Sequence, residues 1–99
     1  MLHTVNKSPY TKNSLDACLR LAKEGSAILL IEDGVYAAVT GSEITSKIEA
    51  AMKKFTFYAL GADLDARGIQ DRVIEGINVV DYAGFVDLTV ENSVVQSWL

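Results

Sequence analysis

One thiol and one imidazole are available to this chain of 99 residues, Cys18 and His3. Covalent chemistry through sulfur can therefore run only through Cys18, and it needs the thiolate, because a neutral thiol is a poor nucleophile. Lys12 and Arg20 lie near in sequence and favour ionisation, while Asp16 opposes it. The competing reading is that Cys18 is a small buried hydrophobe, a role that free cysteine fills well. His3 is conceivable as a base for Cys18, but the two fall on different predicted elements, and spacing alone does not bring them within reach. By itself, His3 reads as a hydrogen-bonding residue of the interior or as an interface contact. Trp98 is the third candidate. A tryptophan so near the end of the chain frays unless it docks, and its large apolar area suits it to anchor on this domain or on a partner.

Other polar groups carry less. Glu32 and Asp33 stand side by side, but a lone acidic pair without further ligands is a poor metal signal. Asp33-Gly34 suits a turn at a strand end. Asp63, Asp65 and Arg67 read as a solvated helix face with local charge pairs. No phosphate-binding glycine loop, G-x-S-x-G elbow or C-x-x-C pair occurs. A phosphoacceptor receiver would place an acidic cluster after the first strand, where this chain has Asn6-Lys7-Ser8-Pro9.

These groups are positioned by alternating elements. Leu2–Asn6 reads as a strand. Asn13 is placed to cap a helix, with Asp16 three residues on as the partner of a capping box. Leu15, Cys18, Leu19 and Ala22 recur at helical spacing, and Gly25 supplies the stop. Ala27–Ile31 is a continuous apolar run, as in a strand buried on both faces. Val35–Val39 fits either a short strand or a helical turn. Ile44, Ile48, Ala51 and Met52 mark a second helix, Phe55–Leu60 a third strand, Asp63–Arg67 a short helix and Ile77–Val80 a fourth strand. Asp81 is placed to cap a last helix over Tyr82–Val90, with Phe85, Val86 and Thr89 on one side. The segment from Asn92 is polar and ends in Trp98-Leu99. Strands alternating with helices predict a three-layer α/β/α sandwich, with a small, mostly parallel sheet of four to five strands. In such sheets ligands gather at the carboxyl ends of the strands. Asn6-Lys7-Ser8, Asp33-Gly34 and Asp81-Tyr82 fall there.

The bulk numbers narrow the function classes. Ninety-nine residues make one domain, 1–99. A net charge of −4 and no basic run longer than Lys53-Lys54 argue against direct nucleic-acid binding. A hydrophobic fraction of 49% exceeds what a small monomer needs and makes subunit contacts plausible. The absence of a signal-peptide pattern and of a membrane-length apolar run predicts a cytoplasmic protein with no membrane association.

Several strings, in order along the chain, resemble the DsrH/TusB family. They are Leu2-His3-Thr4-Val5-Asn6-Lys7-Ser8-Pro9-Tyr10, Asp33-Gly34-Val35-Tyr36-Ala37-Ala38-Val39, Tyr58-Ala59-Leu60 with Asp63-Leu64 and Ala66-Arg67-Gly68, and Asp81-Tyr82-Ala83-Gly84-Phe85-Val86-Asp87-Leu88-Thr89, with Trp98 at the close. The resemblance implies a DsrEFH-like fold and a subunit of a sulfur-relay complex, assembled as a heterohexamer with DsrE/TusD-like and DsrF/TusC-like subunits. Such a complex passes persulfide sulfur to a downstream acceptor protein, in 2-thiolation of the tRNA wobble uridine or in sulfur oxidation. The main sulfur-carrying cysteine of the complex belongs to the DsrE/TusD partner. A cysteine in the first helix resembles the DsrH type more than many TusB proteins, which tilts the resemblance toward the Dsr branch and makes Cys18 a candidate persulfide carrier. His3 and Trp98 are the interface candidates. The resemblance implies no cofactor or metal and no stand-alone sulfurtransferase activity. The alternative is a scaffold subunit that stabilises its sulfur-carrying partners. A free-standing thiol enzyme would need a base beside Cys18, which the sequence does not identify.

Overall fold

The computed structural model describes residues 1–99. Five strands, β1 (Leu2–Val5), β2 (Ala27–Leu30), β3 (Thr56–Leu60), β4 (Asn78–Val80) and β5 (Val95–Trp98), form one sheet in the order β4-β3-β2-β1-β5, with every pairing parallel. The helices are α1 (Ser14–Leu21), α2 (Thr45–Ala51), α3 (Gly61–Ala66) and α4 (Tyr82–Glu91), joined by 3-10 helices at Glu32–Ala38 and Gln70–Arg72. This is the α/β architecture expected from the alternating pattern.

The strand order dictates which face each helix covers. The chain steps from β1 to β2 to β3 to β4 in one direction, so right-handed crossovers place α1, α2 and α3 on one face. It then crosses the whole sheet to reach β5 on the far side of β1, and that reversal puts α4 alone on the opposite face. The cores follow. Val5, Ile28, Leu30, Phe57 and Ala59 point to the first face and join Leu15, Cys18, Val35, Ile48 and Leu64 in a cluster of 17 buried residues. On the second face only Leu2, Leu29 and Leu88 are buried together, with Phe85, Tyr58 and Val80 at their margin. At about 1.5–3 kcal/mol for each large side chain fully buried, the first face carries most of the cohesion.

Three local expectations are met only in part or not at all. Asn13 makes no side-chain cap bond, and the capping box does not form. Asp16 turns away to pair with Lys47 of α2 at 2.6 Å, so its carboxylate serves a helix–helix contact. Of the two readings of Val35–Val39, the helical one is met, in a longer 3-10 segment. Glu32–Ala38 is 3-10, after which Val39 makes a single antiparallel bridge to Val73. On α4, Leu88, Phe85 and Thr89 lean toward the sheet while Val86 is exposed, so Leu88 takes the inward place expected of Val86. The Asp81 cap does form, accepting from Gly84 N–H at 2.8 Å. The fifth strand, β5, lies in the segment that reads as polar tail.

One glycine is required by close approach. After β2 the chain folds back over the end of β1, with Ile31 N–H donating to the Val5 carbonyl at 3.0 Å. A Cβ added to Gly34 would overlap that same carbonyl oxygen. Gly34→Ala must displace backbone instead of a pliant side chain, and it is expected to cost about 3 kcal/mol or more. Urea unfolding of the two proteins checks this; a loss below about 1 kcal/mol would mean that the Glu32–Ala38 segment relaxes freely.

Candidate functional site

Cys18 lies on the inner side of α1 and is 0% exposed. It belongs to the same apolar core cluster as Val5, Leu15 and Leu30. Burial without a compensating cation pushes the thiol from its ordinary value of 9.0 up to about 12. A rise of that size leaves about a thousandfold less thiolate at neutral pH than an open cysteine would have. Lys12 and Arg20, the cations near it in sequence, are both on the exposed side of the chain. The structure does not bring His3 to Cys18 as a base, because the imidazole is engaged elsewhere.

His3 and Trp98 are brought together. The indole Nε1–H donates to His3 Nδ1 at 3.0 Å, with ring centroids 6.1 Å apart. An indole N–H can only donate, so His3 must present a bare Nδ1 and carry its proton on Nε2. That Nε2–H is buried and has no partner, at a cost of about 1–3 kcal/mol. His3 is 3% exposed. Its pKa is lowered below 6.5, first by burial and then by the positive amino terminus nearby. The two interface candidates thus contact each other, and they join β5 to β1.

A second polar cluster gathers at the carboxyl ends of β1, β2 and β3, and it is only partly legible in sequence. Arg67 reaches from α3 to Asp33, with Nε and Nη2 at 3.0 and 2.8 Å from Oδ1, and lies beside the Tyr36 ring. Asp63 accepts from the Glu32 backbone N–H at 2.6 Å, and Glu32 takes a positive φ of 49° to present it. Asn6 donates to the Glu32 carboxylate at 3.4 Å. Arg67 therefore pairs across the fold with Asp33 besides its own-helix partner Asp63. The Asp33 interaction raises the guanidinium pKa further, so Arg67 stays charged. Asp33 is satisfied as an ion-pair partner, and no group of three or more metal-ligating side chains is present.

The exposed side of α4 is a feature that the expected inward position of Val86 does not disclose. Tyr82, Val86 and Val90 recur every four residues and are 63, 56 and 77% exposed. This i, i+4, i+8 spacing is visible in the sequence but is indistinguishable there from a core stripe. Tyr82 also borders an open groove of about 610 Å³ between the starts of α3 and α4 that includes Asp65 and Asp81, with exposed Val79 of the edge strand β4 on its α3 side. No helix is long and apolar enough to cross a membrane.

The arrangement is that of a small α/β subunit with a sealed thiol, an uncovered apolar helix face and no assembled nucleophile–base pair. The chain belongs to the DsrH/TusB family. A family model described as "DsrH like protein" matches residues 7–95. A protein TusB from Pectobacterium parmentieri is 39% identical over 98 residues, covering 99% of this chain and all of the relative. Protein TusB from Escherichia coli O1:K1 / APEC is 43% identical over the same length and coverage. In three dimensions the fold is similar to the crystal structure of the ychN protein from E. coli, with a TM-score of 0.83 at 21% identity over 97% of both chains. It is also similar to MTH1491 from Methanobacterium thermoautotrophicum, a protein of unknown function, with a TM-score of 0.71 at 18% identity over 97% of this chain and 96% of that one.

Two outcomes follow from the buried pair of titratable groups. For Cys18 the folded pKa lies above the unfolded one, so the linked stability is complete below about pH 9 and is lost as pH climbs toward 12. Cys18→Ala should cost only about 1 kcal/mol and flatten that alkaline loss, whereas Cys18→Ser, burying a hydroxyl, should cost about 1–3 kcal/mol. Urea midpoints from pH 7 to 10 read both. For His3 the folded pKa is depressed, so its contribution is present above pH 6.5 and is lost as pH falls through the lowered value. Trp98, the one tryptophan of the chain, should then shift to redder fluorescence in acid before far-UV circular dichroism changes; a simultaneous change in both would count against the His3–Trp98 bond as the group lost.

Proposed function

We propose that this chain is a structural subunit of a cytoplasmic sulfur-relay complex, one domain that contributes docking surface and leaves the sulfur nucleophile to a partner. Family membership over nearly the whole chain supports the sulfur-relay setting. The observation that carries the structural reading is Cys18 itself, wholly buried, with its thiol pushed up to about 12 and no base beside it. Persulfide exchange requires a thiolate and access to the donor sulfur, and the resting fold provides neither. The partners in this reading are DsrE/TusD-like and DsrF/TusC-like subunits in a heterohexamer, with sulfur passing to a downstream acceptor protein. The full-length relatives carry the TusB name, which favours the tRNA wobble-uridine thiolation branch over the sulfur-oxidation branch toward which Cys18 alone tilts the sequence.

The face that docks is α4. Its second-face core is thin, and Tyr82, Val86 and Val90 lie outside it in a row. Asp65 and Asp81 in the adjoining groove, and Asp87 and Glu91 on the helix, frame this apolar stripe with negative charge. A partner surface that is apolar at its centre and basic at its rim complements it.

Two measurements test the reading. Reconstituted complex carrying Cys18→Ala should retain full sulfur flux from a persulfide donor, and intact mass spectrometry of the wild-type chain in the complex should find no added sulfur. A sulfur adduct on this chain that is reversed by reductant and absent from Cys18→Ala would instead make Cys18 a carrier. Val86→Asp, at a solvent-exposed position, should leave the isolated fold intact but weaken co-purification with the partner subunits by at least about tenfold in affinity. Unchanged assembly would remove α4 as the docking face.

A further inference from the structure

We infer that β5 is a detachable strap, and that its release, without unfolding of the domain, is the route by which Cys18 is reached. This role of β5 goes beyond the assignment of the chain as a structural subunit and holds whether or not Cys18 ever carries sulfur.

Four observations place the strap. First, β5 is an edge strand. Its four residues pair with β1 alone, and three of the four are exposed. The strands that hold the sheet together, β1, β2 and β3, are each paired on both sides. Second, α1 packs against β5 as well as against β1. The helix that carries Cys18 therefore rests partly on an edge strand. Third, the chain that runs on from β5 ties one end of that helix. Buried Ser14, in the first turn, donates from Oγ to the carbonyl of Leu99, the residue after β5, at 2.9 Å. At the other end nothing comparable holds it: Ala22, Lys23, Gln96 and Trp98 line a shared cavity of about 360 Å³. Fourth, the side-chain ties are few and one is poorly satisfied. Trp98 packs against the cluster that contains Cys18, but its bond to His3 leaves the imidazole Nε2–H buried without a partner. The remaining tie, Thr4 to Ser97, is long at 3.3 Å.

A segment with little burial, a cavity at its side and one neighbouring strand opens at lower free energy than the core it covers. Lifting β5 removes Trp98 from the face shared with Val5 and releases the Leu99 tie at the start of α1. It leaves β1 paired to β2, so the rest of the sheet persists. Anything that presses on β5 in an assembly keeps the thiol sealed, and anything that competes for the edge of β1 makes it available.

The test is thiol trapping across a urea series below the unfolding transition, read on the full-length chain with a disulfide reagent that reports released thiopyridone. Cys18 is the only thiol, so the signal has one source. In the wild type the trapping rate should rise only weakly with urea, because a local opening exposes little surface. Trp98→Ala should raise that rate by about tenfold or more, while the slope stays shallow. Ser14→Ala, which removes the tie to Leu99, should act in the same direction. Amide exchange should show the protected amides of β5 exchanging ahead of those of β2 and β3. The inference is overturned if trapping follows the full slope of global unfolding in the wild type, or if the variants speed it only in proportion to their lowered global stability. It is equally overturned if β5 amides exchange together with those of β2 and β3.

Discussion

Strand β1 is hydrogen-bonded along both edges and covered on both faces, so none of its four residues reaches water appreciably. That double burial is the constraint on which the other functional features depend. Because Val5 is capped by the returning chain, the position packed against its carbonyl must be glycine, and Gly34 fixes where the Glu32–Ala38 segment starts. Because His3 is buried on the face of α1, it needs a polar partner, and Trp98 supplies one from β5. Because Val5 and Leu30 line the same face, the helix above them must present small or apolar groups, and Cys18 is one of them.

The two faces of the sheet are unequal for a topological reason. Three consecutive crossovers in one direction stack three helices on one face, and a single long return leaves one helix for the other. A ten-residue helix cannot cover five strands. The second face consequently ends in a thin core, an exposed strand β5 and an outward apolar stripe on α4. A chain with this geometry is completed by neighbours, which agrees with a family of complex subunits better than with a free-standing enzyme. The same asymmetry places the thiol under the thick layer, where desolvation suppresses its ionisation.

At the strand ends, Asn6, Glu32, Asp33, Asp63 and Arg67 form a linked set in which nearly every charge has a partner. The position matches where ligands bind in parallel sheets, but the groups are engaged with one another. Arg67, planar and permanently charged, bridges the α3 helix to the segment after β2. The positive φ of Glu32 is tolerated because its N–H is held by Asp63.

The alternation of apolar runs and helical periods was enough to determine an α/β sheet, the positions of four strands and the Asp81 cap, because each rests on neighbours in sequence. The order of strings along the chain carried the family. The fifth strand was not legible. Val95–Trp98 is an edge strand whose pairing is made by backbone groups, and all its side chains but Trp98 are exposed, so no hydrophobic pattern marks it. The capping box at Asn13 failed for a related reason: Asp16 had a stronger partner, Lys47, 31 residues away. The inward side of α4 was misplaced because an exposed apolar stripe and a buried one have the same period. Sequence alone determined that Cys18 is the one thiol and that it sits on an apolar helix face. Only the tertiary structure decided that this face is sealed, that His3 serves Trp98 and not Cys18, and that the seal is shared with an edge strand, because burial and reach depend on which strands the crossovers bring together.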